Sequence, residues 1–185
     1  MWPLTKQGAR SKGQGARQSP AISPVRSSLI HAPCHLRPMW PEDLDQVLAI
    51  EREAFTSDAW QRAEFGGCFA LHSTLIGLIA EAAGRIVGYG VADRMPHAAV
   101  VRNLAVMPPF RRMGVGRLLV AELCRPAGLC QPRSLHATIR ESNLAAQLFF
   151  RSLGWRAQWI ARRPWPGCPE DGYRFRFKVR ECRGK

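Results

Sequence analysis

Three arginines and two glycines crowd into Arg111-Arg-Met-Gly-Val-Gly-Arg117, inside the longer run Asn103-Leu-Ala-Val-Met-Pro-Pro-Phe-Arg-Arg-Met-Gly-Val-Gly-Arg-Leu-Leu119. An apolar stretch ends in prolines, a basic turn follows, and an apolar helix opens at Val115. Glycines let a backbone come close to a ligand, and the first N–H groups of a helix have no partner inside it. Those amides and the positive end of the helix dipole suit a phosphate. Arg111, Arg112 and Arg117 add charge around the same turn. The segment has the make-up of a pyrophosphate cradle in a strand–loop–helix unit. It is not the dinucleotide fingerprint, which needs a third glycine, nor a Walker loop, which needs Gly-Lys-Ser/Thr. From these residues alone, a plain tight turn with solvated arginines is the competing reading.

A second pattern lies at Thr138-Ile-Arg-Glu-Ser-Asn-Leu-Ala-Ala-Gln-Leu-Phe-Phe-Arg-Ser-Leu-Gly-Trp155. Ser134 to Ile139 alternates and predicts a strand. Ser142 or Asn143 can cap the helix that follows. Leu144, Ala145, Leu148, Phe149 and Leu153 form its apolar face, and Gly154 stops it.

The elements that must position these residues follow from the same periodicities. A short strand is expected at His35–Met39, a helix at Pro41–Phe55 with Leu44, Val47, Leu48 and Glu51 marking its period, and a second helix at Ser57–Leu71. Thr74–Ala80 and Ile86–Arg94 read as a hairpin around Ala82-Ala-Gly-Arg85. Ala98–Val106 reads as a strand and Val115–Cys124 as the helix after the cradle, ended by Pro126. Trp155–Ile160 and Tyr173–Arg180 close the series.

Taken together, the two motifs resemble the GCN5-related N-acetyltransferase superfamily. The first looks like its acetyl-CoA motif, Gln/Arg-x-x-Gly-x-Gly/Ala, preceded by an Asn-Ile-Ala-Val-x-Pro strand end. The second resembles the Arg-x-Ser-Asn helix of the bacterial ribosomal-protein alanine N-acetyltransferases (RimI-like). The likeness covers roughly His35 to Val179. It implies a mixed α/β fold whose central, mostly antiparallel sheet splays between strands 4 and 5. It implies acetyl-CoA as co-substrate, held by Arg111, Arg112, Met113, Gly114, Val115, Gly116 and Arg117. The thioester carbonyl would be polarised by backbone amides at Leu104, Ala105 and Val106, and Asn143 would contact the cofactor.

The chain departs from the subfamily at two positions. Where the family carries a glutamate base five residues before the helix Asn, this chain has Thr138. Where the family carries a tyrosine acid seven residues after it, this chain has Phe150. Neither can transfer the proton, and Phe150 reads as core or as a wall of the cofactor pocket. Strand side chains repeat every two residues, so His136 shares a face with Thr138 and is the candidate catalytic base; a satisfied core histidine is the competing reading. Tyr173 is placed to line the substrate groove. Glu51 and Glu53 are further candidates, although glutamates on a helix surface are usually solvated.

Composition sets the bounds. The 185 residues, 46% of them apolar, suffice for one domain with its own core. No run approaches the roughly 20 apolar residues that span a bilayer. The six cysteines form no Cys-x-x-Cys pair and no zinc spacing with histidine, so reduced thiols in a cytoplasmic protein are expected, with no metal. The net charge is +13, and residues 1–41 hold six Lys or Arg and no acid. Residues 1–33 read as a basic disordered tail and 34–182 as the acetyltransferase domain. The tail is a solvated extension or the product of an upstream start codon, an RNA- or ribosome-touching arm, or a transit peptide.

The resemblance implies transfer of an acetyl group to an amine, above all the N-terminal α-amine of a ribosomal protein or other peptide. Two loops, Phe55–Trp60 and Arg162–Gly172, would shape the acceptor groove. Three alternatives stand beside it: a catalytically weak, regulatory CoA-binding protein, an acetyltransferase of small-molecule amines, and a basic RNA-associated protein. Ribosome association is open, no membrane partner is expected, and the oligomeric state is not legible.

Overall fold

The computed structural model describes residues 34–55, 58–125 and 133–179. The expected tail at 1–33 lies outside these residues, as do Ser57, Pro126, Arg180, Cys130 and Cys182. Strands β1 (Cys34–Pro38), β2 (Leu75–Ala82), β3 (Arg85–Met95), β4 (Ala98–Val106), β5 (Ser134–Arg140), β6 (Arg156–Ala161) and β7 (Gly172–Lys178) form one sheet in the order β1-β2-β3-β4-β5-β7-β6. The helices are α1 (Leu44–Phe55), α2 (Arg62–Phe65), α3 (Val115–Leu123) and α4 (Leu144–Ser152).

The local chemistry explains most boundaries. A 3-10 turn over Pro41–Asp43 leads into α1. Its entry is fixed by the Asp43 carboxylate, which accepts from the Trp40 amide at 2.8 Å and from both terminal nitrogens of Arg37 at 2.7 and 2.8 Å. β2 and β3 meet at a two-residue turn in which Ala83 and Gly84 both take positive φ (49° and 70°), the geometry that matches strand twist. The long helix expected over Ser57–Leu71 is instead the single turn of α2 and a 3-10 turn at Gly66–Phe69. The Gly66-Gly67 pair removes helical propensity just where the chain must bend to bury Phe65.

Every neighbouring strand pair is antiparallel except β4–β5, which is parallel and pairs only Ala98–Val101 with Ser134–Ala137. On its other edge β4 carries an extra residue, Arg102, because Val91 pairs with Asn103 and Ala92 with Val101. Such a bulge bends and twists the strand. Beyond Val101 and Ala137 the two strands no longer pair, so the sheet splays between β4 and β5 as the resemblance implies.

Two apolar layers sandwich the sheet. Val47 and Ile50 of α1, with Phe65, pack on Ile79, Tyr89, Val91 and Ala105. On the opposite face α3 and α4 cover Val87, Val101, Leu135, Ala137, Ile139 and Phe175.

Candidate functional site

The Arg111–Arg117 turn follows β4 directly and lies at the mouth of the splay. A 3-10 turn at Pro108–Phe110 reverses the chain, and Gly114 caps α3 with φ 88° and no side-chain bond to the helix. The first α3 amides, Val115 to Arg117, therefore have no side-chain cap. A Cβ on Gly114 would meet nothing within 4 Å, so the approach to those amides is open. A Cβ on Gly116 would meet Phe149 at 3.2 Å, so that glycine serves the packing of α3 against α4. Arg112 also takes positive φ (64°), and Met113 is exposed. Arg111 turns back to donate from Nε to the Val106 carbonyl at 2.9 Å.

That bond orients the strand end. In an antiparallel ladder one residue's N–H and C=O point to the same edge, and successive residues alternate. The Met107 amide donates to Val87 on β3 at 2.9 Å. The Ala105 amide therefore also faces β3, while Leu104 and Val106 present theirs to the gap left by β5. Of the three expected amides, two are placed to face a ligand in the splay.

Asn143 sits across the gap as the cap of α4, its Oδ1 accepting from the Ala146 amide at 3.0 Å. Its Nδ2 makes no hydrogen bond among the described residues and remains available. Phe150 is 5% exposed and packs with Phe149, Trp155 and Phe175. It is a core residue.

His136 is half-buried on β5, opposite Val100, where β4 and β5 are still paired. Its Nε2 lies 2.9 Å from the Ser134 hydroxyl, and its Nδ1 is buried without a partner among the described residues. Burial, then Arg176 and Arg174, push its pKa below the ordinary histidine value, so the ring is neutral at pH 7. Thr138 shares its face one step nearer the splay. Tyr173 lies on the other face of β7, packed against the α3–α4 core, and does not join this group.

A model of the acetyltransferase (GNAT) family matches residues 39–155. The chain belongs to that family. An N-alpha-acetyltransferase from Mycobacterium tuberculosis is 27% identical over 140 residues, covering 72% of this chain and 85% of its own. An uncharacterised Mycobacterium leprae protein is 28% identical over 163 residues, covering 85% of this chain, which spans only 44% of that protein. The ribosomal-protein-S18-alanine N-acetyltransferase structure from Escherichia coli shares the fold with a TM-score of 0.67, at 21% identity and 80% and 94% coverage.

Two groups of this acetyltransferase have partners that a reading of sequence alone does not assign. Arg140, at the end of β5, joins the two loops over the splay. It bonds Glu170 at 3.2 Å and the Cys168 sulfur at 2.7 Å from one loop, and pairs with Asp58 at 3.3 Å from the other. It also lies 4.4 Å from the Trp165 ring centre. Trp165 in turn stands over Gly172, beside Thr138. Glu170 accepts from the Ser142 amide at 2.7 Å, and Asp171 from the Arg163 amide at 3.0 Å, so the 162–171 loop is pinned at several points.

Glu51 is the second. A solvated helix glutamate was the ordinary expectation, yet its side chain is fully buried. Oε1 accepts from the Trp60 amide at 2.7 Å and from Asn103 Nδ2 at 3.0 Å, and Oε2 has no partner among the described residues. Burial raises its pKa. It falls four residues after Val47, on the inward stripe of α1, and that spacing was the available signal. Glu51 ties α1 to the 58–60 loop and to the splayed part of β4.

Truncation to alanine orphans the Trp60 and Asn103 donors and leaves a cavity. Glu51→Ala should cost about 2–5 kcal/mol in denaturant unfolding. Glu51→Gln keeps the accepting oxygen and removes a buried charge, so it should cost far less. A carboxylic acid whose folded pKa is raised binds more protons folded than unfolded. Stability therefore falls as pH rises from the unfolded value near 4.5 through the folded one. Glu51→Gln should abolish that part of the pH dependence.

Proposed function

We propose that this acetyltransferase moves the acetyl group of acetyl-CoA onto the N-terminal α-amine of a protein or peptide, in the cytoplasm. The observation that supports it most is one continuous backbone path: two free amides of splayed β4, the arginine turn, and the open start of α3 at Gly114. The residues fit the co-substrate. Arg111 to Arg117 would hold its phosphates, and the absence of a Cβ at Gly114 leaves room for close approach. Acetyl-CoA supplies an already activated thioester. The Leu104 and Val106 amides would stabilise the negative charge that develops on its carbonyl oxygen, and Asn143 Nδ2 is free to add a contact from α4.

The acid and base need separate argument. Thr138 transfers no proton and Phe150 is core. A thiol with pKa about 8.5 leaves acceptably even unprotonated, and approximation alone supplies on the order of 7–11 kcal/mol in ideal cases. An α-amine with pKa about 8 is neutral to roughly a tenth at pH 7, whereas a lysine with pKa about 10.4 is neutral to less than a thousandth. A site without a dedicated base therefore favours the α-amine by about two orders of magnitude. The name of the M. tuberculosis relative, an N-alpha-acetyltransferase, supports the same class, and that of the E. coli relative, a ribosomal-protein-S18-alanine N-acetyltransferase, supports a ribosomal protein as acceptor. Thr138 and Phe150 favour the second reading, a CoA-binding regulatory protein without turnover.

Thiol release from acetyl-CoA, with peptides of free and blocked N-terminus, separates these readings. Turnover is expected only with the free amine. Its rate should climb with pH along the amine's own titration, near 8. If His136 were the base, its lowered pKa would place the rise below about 6.5 and leave a plateau above. His136→Ala should cost less than tenfold. A hundredfold loss in a well-folded variant would make His136 the base.

A further inference from the structure

Strands β5, β7 and β6 carry five cations (Arg140, Arg156, Arg174, Arg176, Lys178) and not one Asp or Glu. Arg140 is neutralised by Asp58 and Glu170. Among the described residues, the other four form no ion pair. Register puts them together: His136, Arg176 and Arg156 stand in one row across the three strands, Thr138, Arg174 and Trp159 in the next, and Ser134 with Lys178 at the end. Directly paired residues share a face, so all lie on the side of the sheet that also carries Thr138. The opposite side of these strands is the apolar layer under α3 and α4.

This arrangement is costly for the free protein. Arg156 directly opposes Arg176, and like charges in that relation destabilise a sheet. The Nε atoms of Arg174 and Arg176 are buried and have no hydrogen-bond partner among the described residues, and neither has His136 Nδ1 beside them. Trp159, 48% exposed, stands with its ring 6.0 Å from the Arg174 guanidinium. Unspent donors, an aromatic platform and unopposed positive charge lie one strand from Thr138, where the sheet splays.

We propose that this face is a specificity site for an acidic segment of the acceptor polypeptide, which Arg174, Arg176, Arg156 and Lys178 engage while its amine reaches the splay. The inference rests on the acetyl-transfer reading above. Alternate residues of β7 are about 6.6 Å apart, the same repeat as alternate side chains of an extended peptide. From Thr138 to the Arg176 row is one strand sideways and two residues along, about 8 Å, which an extended chain covers in two to three residues. The acidic positions should therefore be the third to fifth of the acceptor. A polypeptide, rather than a nucleic acid, is the occupant the geometry favours, because the strip leads into the site where the amine must react. Charged acceptors of this kind should also be steered to the site in a salt-dependent way.

The test compares three peptides that share an N-terminal alanine and carry Glu, Gln or Arg at positions three to five. For wild type we expect kcat/KM at least tenfold higher for the Glu than for the Gln peptide, mostly through KM, and lowest for the Arg peptide. The advantage should shrink between 50 and 300 mM salt. In Arg174→Gln/Arg176→Gln the Glu-to-Gln ratio should fall toward one, with melting close to wild type. Equal rates for all three peptides in wild type, or an undiminished ratio in the variant, would overturn the proposal.

Fluorescence anisotropy of labelled Glu peptide is measured in parallel. If no peptide turns over but the Glu peptide binds and the double variant loses that binding, the acidic-segment site stands and the transfer reading fails. If the peptides turn over without regard to charge, the reverse holds. Charge-blind peptides, together with a single-stranded oligonucleotide held only by the wild-type arginines, would assign the face to nucleic acid and overturn the proposal.

Discussion

Gly114→Glu should abolish acetyl-CoA binding, weakening it at least a hundredfold in calorimetry, while the protein stays folded. Three effects combine. Gly114 takes φ 88°, where an L side chain costs about 1–2 kcal/mol. Its Cβ position faces empty space, so the new side chain clashes with nothing in the free protein. The carboxylate then stands at the start of α3, beside the amides proposed to meet the phosphates. Gly116→Asp should also lose binding, but its Cβ presses on Phe149 at 3.2 Å, so its melting temperature should fall as well. Unchanged affinity in a folded Gly114→Glu protein would remove the cradle from the account.

Arg140→Ala should raise the acceptor KM at least tenfold and leave acetyl-CoA affinity within about threefold. One guanidinium holds Asp58 on one loop and Cys168 and Glu170 on the other, with Trp165 stacked against it. Its loss frees both walls of the groove at once and leaves Glu170 with the Ser142 amide alone. Arg140→Lys keeps the charge but not the fork, so it should recover only part of the effect. Steady-state kinetics in both substrates checks the split. An equal loss of cofactor and acceptor binding would mean that Arg140 supports the whole fold rather than the groove.

The turn proposed to hold the cofactor is legible in the sequence as a local structure because its signals are local. Glycine at positive φ, arginines in one turn and a helix start all lie within a few residues, and the Ala98–Val106 strand matches its expected bounds. The segments proposed to line the acceptor groove lie far apart in the chain. Nothing near Glu51 in sequence announces Asn103, 52 residues away, although the inward stripe of α1 placed a glutamate where an apolar residue belonged. Arg140 was visible as a motif residue, but its partners lie 28 and 30 residues downstream in a proline-rich loop without periodicity. The basic face emerges only when β7 inserts between β5 and β6, an order that chain sequence does not dictate. The second helix is shorter than the expected Ser57–Leu71 because the Gly66-Gly67 pair lets the backbone leave the α-helix after Phe65.

The most direct test uses one peptide that carries a free N-terminal alanine, Glu at positions three to five, and an internal lysine. It is incubated with the enzyme and acetyl-CoA at pH 7 and fragmented in a mass spectrometer. The account predicts a single acetyl group on the α-amine, at least a hundredfold ahead of the lysine. Acetylation first on the lysine, or no transfer despite tight acetyl-CoA binding, would contradict it.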